Sequence, residues 1–455
     1  MVTLSLLDLI LITIYVIIIL YLGYRSSKKE TSEGFLLSDR NLGVLTNTAT
    51  IVSSKTGAGL VLTFVALVYL YGTSAMWFFI GAAFGYFIFI LFATKLRKKS
   101  TEEKFYTLSD YFFHKYGKKV GFISAFVILV VMLLNFIIQL IGGTKVLGSL
   151  TGFSFIISLS LISITILIYL VMGGFKAVVK TDIAQFLAII ILAGLLGILL
   201  FSGVKISPSD ISFGALPLKI TIGFFLFGII LPFASAELWQ RVYAAKDVKT
   251  IKKSLMFSAL FYILIGVLFS IVGLAIKSKV AGIDPDIALI EGFIRLLPAG
   301  LIGLGVVTIF AAVMSSADTY LFTTTSILLQ DFYSRFKKIN DKKLVTLFRY
   351  ALIVLMLVGF IIAILLQNIM STVFIFTGFA SVMALTGIAS WLVKKVKGKT
   401  LTFGMVIGFL GTLICIFTKP VTEAFAFNSV IFTLGGFFIG GIYNLISKKK
   451  ESQGL

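Results

Sequence analysis

The sequence predicts an all-α integral membrane protein of about 13 transmembrane helices, on three observations. Of its 455 residues, 59% are hydrophobic and only 13% charged, about half the roughly 25% charged residues of a soluble domain. Mean hydropathy is +1.08. The apolar residues fall in runs of roughly 20, long enough to cross a bilayer as helix, and the basic residues fall between the runs. Other classes are poorly served. One Cys (Cys415) and one His (His114) preclude a disulfide framework and argue against a zinc or haem site. The formal net charge of +21 reads as topology signals in loops, not as a nucleic-acid surface. The partner to expect is the lipid bilayer, with no nucleic acid.

In chain order the predicted spans are 4–24, 44–71, 75–94, 120–143, 153–172, 183–204, 220–238, 255–276, 299–321, 344–366, 371–393, 401–417 and 424–446. The first run is too long for a signal-peptide core and lacks a small-residue cleavage site, so it is expected to stay as a span. Short turns such as 367–370 separate the closely spaced pairs. Between spans three and four, FYTLSDYFFHKYG suits a short interfacial helix. The tail KKKESQGL is expected to be disordered, and no separate soluble domain is expected.

Loop charges test the count. Alternate loops are lysine- and arginine-rich: Arg25, Lys28, Lys29 and Arg40; Lys95 to Lys119; Lys176 and Lys180; Arg241 to Lys253; Arg335 to Lys343, including Lys338; Lys394 to Lys399; and the tail. Opposite loops hold few, chiefly Lys145, Lys205, Lys277, Lys279 and Lys419. The positive-inside rule then puts the N-terminus outside and the C-terminus in the cytoplasm of a cell-membrane protein, which requires an odd number of spans.

Three spans look broken. The second carries SSKTGAG at its middle, the seventh carries Pro232 in LPFASAE, and the ninth carries the serine pair of FAAVMSSADTYL. Glycine lets the chain leave helical geometry and proline removes a backbone donor. Carbonyls freed at membrane depth are tolerated where they line a cavity or bind a ligand. Broken helices in matching positions of two halves point to a transporter's central site. Spans two and seven are five apart, which suits a five-plus-five inverted repeat over spans two to eleven. Blander readings stand beside these: Pro232 as a kink in a packed helix, and Ser315 and Ser316 bonded to carbonyls one turn back.

Several stretches together resemble the sodium:solute symporter family, which includes sodium/proline and sodium/glucose cotransporters. GFLLSDRNLG resembles the family's loop after the first span, and LVYLYG the end of the second. GGFKAVVKTDIAQ is similar to its paired-glycine and Thr-Asp-x-x-Gln pattern, WQRVYAAK to its Gln-Arg segment, and AAVMSSAD to its sodium-site helix. The resemblance implies a LeuT-type core at 44–393 (repeats 44–204 and 219–393). It also implies an extra N-terminal helix and cytoplasmic loop at 1–43, leaving two C-terminal helices and a tail at 394–455. It implies a sodium ion held by carbonyls of Ser53 and Thr56 on span two, and by Ala312, Ser315 and Ser316 on span nine. Positions i, i+3 and i+4 share a helix face, and five oxygen donors suit a hard cation. Asp182 matches a carboxylate linked with ion coupling; the alternative is a charge at a cytoplasmic helix end.

Lys55 departs from the family pattern, where a small, amide or acidic residue stands. About 6 Å from sodium, at an effective dielectric near 20, its ammonium would repel the ion by roughly 3 kcal/mol. Pairing with Glu237 or Asp318, an anionic substrate, or desolvation to neutrality would each relieve this; snorkelling to the interface is a further alternative. Ser54 is a further substrate or coupling candidate, and position alone nominates Asn135, Phe224, Phe225, Phe227 and Phe233 as cavity walls. The expected activity is sodium-coupled symport of a small anionic or zwitterionic organic solute by alternating access, for which a monomer suffices. Rivals are proton-coupled or ion-independent transport with Lys55 replacing the cation, and a non-transporting solute sensor. An enzyme is disfavoured because no catalytic spacing is recognisable.

Overall fold

The computed structural model describes residues 4–25, 31–172, 174–337, 340–422 and 424–452. Lys28, Lys29, Lys338 and residues 453–455 lie outside the described residues. Each of the thirteen predicted segments is helical, and the helices are numbered accordingly. They run α1 Leu6–Arg25, α2a Val44–Lys55, α2b Ala58–Tyr71, α3 Trp77–Glu102, α4 Lys118–Thr151, α5 Phe155–Met172 and α6 Phe175–Phe201. Then follow α7a Leu218–Ala234, α7b Ala236–Ala244, α8 Val248–Lys279, α9 Ile302–Ile327, α10 Asp341–Leu366, α11 Ile369–Leu392, α12 Gly398–Thr418 and α13 Phe425–Ser452. Among the described residues, ten stretches are long and apolar enough to cross a membrane, or eleven with α7a and α7b taken as one span. That count takes Ala58–Glu102 as one stretch, although Gly72, at φ +62°, ends α2b before α3 begins. It also omits α5, whose described apolar part is short. Counting α2b and α3 apart and adding α5 gives the thirteen passes of the hydropathy pattern.

Two predicted breaks are present. The second span interrupts at Thr56 and Gly57, and the seventh bends by 51° at Ser235, just after Pro232. The ninth is not broken. α9 runs straight through Ser315 and Ser316, because it contains no proline and its serine hydroxyls reach carbonyls without opening the backbone ladder. Its only irregularity is a π-helical turn, Leu328–Tyr333, beyond the serines. α9 is the central post: every residue from Ala311 to Ile327 is buried, and it packs on α1, α4, α6 and α10.

The loops sort by charge. At one end, Thr73 N donates to the Asp210 carbonyl (2.8 Å) and Lys277 pairs with Asp210 (2.8 Å), tying lysine-poor loops together. At the other, Arg40 reaches the Phe105 carbonyl (2.9 Å), Arg97 the Ala245 carbonyl (2.7 Å), and Arg335 pairs with Asp110. The lysine-rich loops therefore share one end of the bundle. The interfacial helix expected there is Leu108–Tyr116, started by a reciprocal cap between Thr107 and Asp110. The tail departs from expectation: α13 continues to Ser452, since nothing in KKKES breaks a helix already running. α1 is pinned to the start of α9 by buried Asp8, which accepts from Gly300 N (3.0 Å) and Gly303 N (2.6 Å).

Candidate functional site

The break in span two is built by its own residues. Thr56 leaves helical geometry (φ −89°, ψ 56°) and its hydroxyl turns back to the Val52 carbonyl at 2.7 Å. α2b restarts with Ala58 N donating to the Gln139 side chain of α4 at 2.7 Å. Gly57 is needed because a Cβ there would lie 2.5 Å from both Gln139 Oε1 and Ser316 Oγ. The gap thus lies flat against α9. Across it, Ser315 Oγ donates to the carbonyls of Ser53 and Ala312, each at 3.0 Å, and Ser316 Oγ donates to the Ser54 carbonyl at 3.0 Å. Ser53, Ala312, Ser315 and Ser316 thus lie together. Thr56, whose carbonyl is the expected donor, lies at the break, and Ser316 bonds the Ser54 carbonyl.

Lys55 bridges to the second break. Its ammonium donates to Ser235 Oγ at 2.6 Å and pairs with Glu237, the side chains being 7% and 0% exposed. Ser235 is the residue at which span seven bends and Glu237 lies in the first turn of α7b, where the helix dipole favours a negative charge. The lysine neither snorkels nor meets Asp318. Asp318 instead accepts from its neighbour Thr319 N (2.6 Å) and from Thr181 on α6 (3.4 Å).

Asp182 is buried, not at a solvated helix end. It pairs with Arg241 of α7b (3.2 Å) and bonds Thr50 of α2a, and Arg241 also reaches Thr319 (2.8 Å). Four helices therefore meet on one guanidinium, a fork whose donors suit several fixed acceptors. Nearby, Thr323 donates to Gln240 at 2.9 Å. Arg241 and Thr50 were missed as site residues; WQRVYAAK marked the arginine, but nothing local marks its partner.

On the lysine-poor side of the breaks lies a cavity of about 220 Å³. Asn135, Phe224 and Phe227 line it, as position suggested, and so does Lys55. Phe225 and Phe233 do not. Phe225 packs on Trp77 and Phe84, and Phe233, past the proline bend, is held among Phe89, Phe92 and Trp391. Tyr262, Tyr320 and Phe427 complete the wall from α8, α9 and α13. On the lysine-rich side α2a beyond its first turn and all of α7b are buried.

Comparisons with known proteins bear on the family and the fold. The sodium:solute symporter family profile matches residues 35–216 and 213–408. The osmoregulated proline transporter OpuE of Bacillus subtilis is 25% identical over 96% of this chain and 94% of its own length. Sodium/proline symporter 2 of Staphylococcus saprophyticus is 26% identical over 78% of this chain and 75% of its own. The sodium/pantothenate symporter of Haemophilus influenzae is 28% identical over about half of each, 51% and 52%. Among solved structures, a Na+-coupled sialic acid symporter in a substrate-bound outward-open state superposes with TM-score 0.82 at 17% identity, covering 96% of this chain and 98% of that one. Mhp1, a nucleobase-cation-symport-1 family transporter, superposes with TM-score 0.62 at 13% identity, covering 92% and 96%. These two show the fold, which is LeuT-type. With the profile spanning most of the chain, this multi-pass membrane protein belongs to the sodium:solute symporter family, whose activity is sodium-coupled symport of a solute.

Proposed function

We propose that the chain carries a small organic solute with sodium across the cell membrane, holding the ion between the break of span two and the serine turn of α9. The carrying observation is the convergence of the Ser53, Ser54 and Ala312 carbonyls on the hydroxyls of Ser315 and Ser316. All are hard oxygen donors, suited to sodium. On binding, the two hydroxyls turn their lone pairs to the ion, and the fifth oxygen is the carbonyl of Ser54 or of Thr56 at the end of α2a. Asp182 lies one helix away, but Arg241 beside it offsets its charge. Pairing Lys55 with Glu237 offsets the repulsion an isolated ammonium would exert, which supports sodium over a lysine that replaces it.

Alternating access follows from the asymmetry of the two ends. The cavity faces the lysine-poor end, while Arg241, Asp182, Thr50 and Thr319 seal the lysine-rich one. With lysine-rich loops cytoplasmic and the N-terminus outside, this is an outward-facing state. Release to the cytoplasm requires that cluster to part as repeats 44–204 and 219–393 rock against each other. The relatives' printed names supply proline and pantothenate as kinds of cargo to screen first.

The test is the double substitution S315A/S316A in proteoliposomes. Losing hydroxyl ligands to a cation costs about 1.5–3 kcal/mol, so half-maximal counterflow should need about ten to a hundred times more sodium. An unchanged sodium dependence in well-folded protein would remove the site.

A further inference from the structure

The cavity wall carries information on the solute's chemistry that the ion site does not. Lys55 is its one charged side chain among the described residues. No carboxylate lines it; Glu237, fully buried, pairs with Lys55 without reaching the wall. An ammonium has three donors; Ser235 accepts one and Glu237 supplies the opposite charge, so donor capacity remains for a ligand in the cavity that Lys55 lines. Thr63, on the same wall, has a buried hydroxyl with no hydrogen-bond partner among the described residues. The remaining surface is mostly apolar, led by Phe64, Phe224, Phe227 and Phe376, with the neutral polar side chains Asn135, Gln139, Thr377 and Ser381 among it.

We infer that the solute is a monocarboxylate with an apolar body and no α-ammonium group, its carboxylate taking a remaining donor of Lys55 and its body lying against the phenylalanines. This rests on the symport reading above and narrows its cargo. A buried cation favours a carboxylate over its neutral amide, because a charge-assisted hydrogen bond is about twice as strong as a neutral one. A zwitterion is disfavoured, since its ammonium would be desolvated with no anion to meet. A sugar is disfavoured because the few neutral polar side chains on this mostly apolar wall cannot meet hydroxyls on every face of it. The Lys55–Glu237 pair is neutral as a unit, so sodium at Ser53 and a carboxylate at Lys55, two residues on, offset each other. Each then raises the other's affinity by the same factor.

The experiment follows thermal unfolding of the full chain in lipid nanodiscs with 3-phenylpropanoate, 3-phenylpropanamide, L-phenylalanine or D-glucose, each in sodium and in potassium. Ligands of the folded state raise the melting temperature by mass action. In sodium, 3-phenylpropanoate should act at a concentration about tenfold or more below the other three, a difference of about 1.4 kcal/mol. Lys55→Arg should keep this preference. K55M/E237Q, which removes both charges at similar volume, should lose it while still responding to sodium. An equal or better response to L-phenylalanine, the amide or glucose overturns the inference, as does a carboxylate preference that survives K55M/E237Q. If sodium stabilises the protein and none of the four solutes does, the solute class is wrong and the symport reading stands. If 3-phenylpropanoate acts alike in sodium and potassium, the solute class stands and the coupling ion is wrong.

Discussion

At the residue scale Lys55 puts an ammonium beside the break in span two, and the structure supplies its partner 182 positions away in Glu237. A buried ion pair adds little net stability, but removing one partner is costly because the other is left desolvated and uncompensated. Glu237→Gln should therefore act on the ion as well as on the fold. It exposes the sodium region to the bare ammonium, a repulsion of roughly 3 kcal/mol at about 6 Å and an effective dielectric near 20. Sodium-dependent thermal stabilisation should then require about a hundredfold more sodium. A variant with wild-type sodium response would show that Lys55 and the ion do not sense each other.

Among the elements, the break in span two is the part the others are arranged around. It needs an extended glycine where α2b begins, and Gly57 alone fits between Gln139 and Ser316. Gly57→Ala should cost about 1–3 kcal/mol by overpacking and lower uptake by displacing Ser316. Gly194, in α6, is the control: nothing lies within 4 Å of a Cβ there. Gly194→Ala should be neutral or stabilise by up to about 1 kcal/mol through helix propensity. Melting temperatures of the two variants in one lipid give the comparison; equal shifts would mean the close approach at Gly57 does not matter. A similar closeness lets α7a lie on α3, where Gly228 faces the Ala82 amide and Gly85 the Ile229 carbonyl. This crossing holds span seven where its bend can reach Lys55.

For the whole molecule, two predictions concern its ends. In a Cys415→Ala background, a cysteine at exposed Lys98 should react with an impermeant reagent only in opened cells, and one at exposed Ser209 in intact cells. The reverse pattern would invert the orientation. The second concerns the seal at the lysine-rich end. Asp182→Asn leaves Arg241 buried without its carboxylate, which disfavours the sealed state by about 3–5 kcal/mol. A cysteine in place of buried Thr323 should then alkylate faster from the cytoplasmic side. Unchanged reactivity in folded protein would show that the Asp182–Arg241 pair does not hold that end closed.

Sequence alone determined the membrane class, the thirteen apolar segments, the two sets of loops, the breaks at SSKTGAG and LPFASAE, and the serine turn of α9. Each is a local property: a run of about 20 apolar residues, a glycine or proline that interrupts it, a loop composition. The family resemblance extended that reach to Asp182 and to the pairing of spans two and nine. Tertiary structure decided the rest. It kept α9 continuous, turned Phe233 into an aromatic cluster and away from the cavity, brought Arg241 to Asp182 and Thr50, and chose Glu237 over Asp318 for Lys55. In an α-helix of 3.6 residues per turn, each step along the chain rotates the side chain by about 100°. Which buried groups meet therefore depends on how each helix is turned and crossed against neighbours distant in sequence, which no single segment encodes.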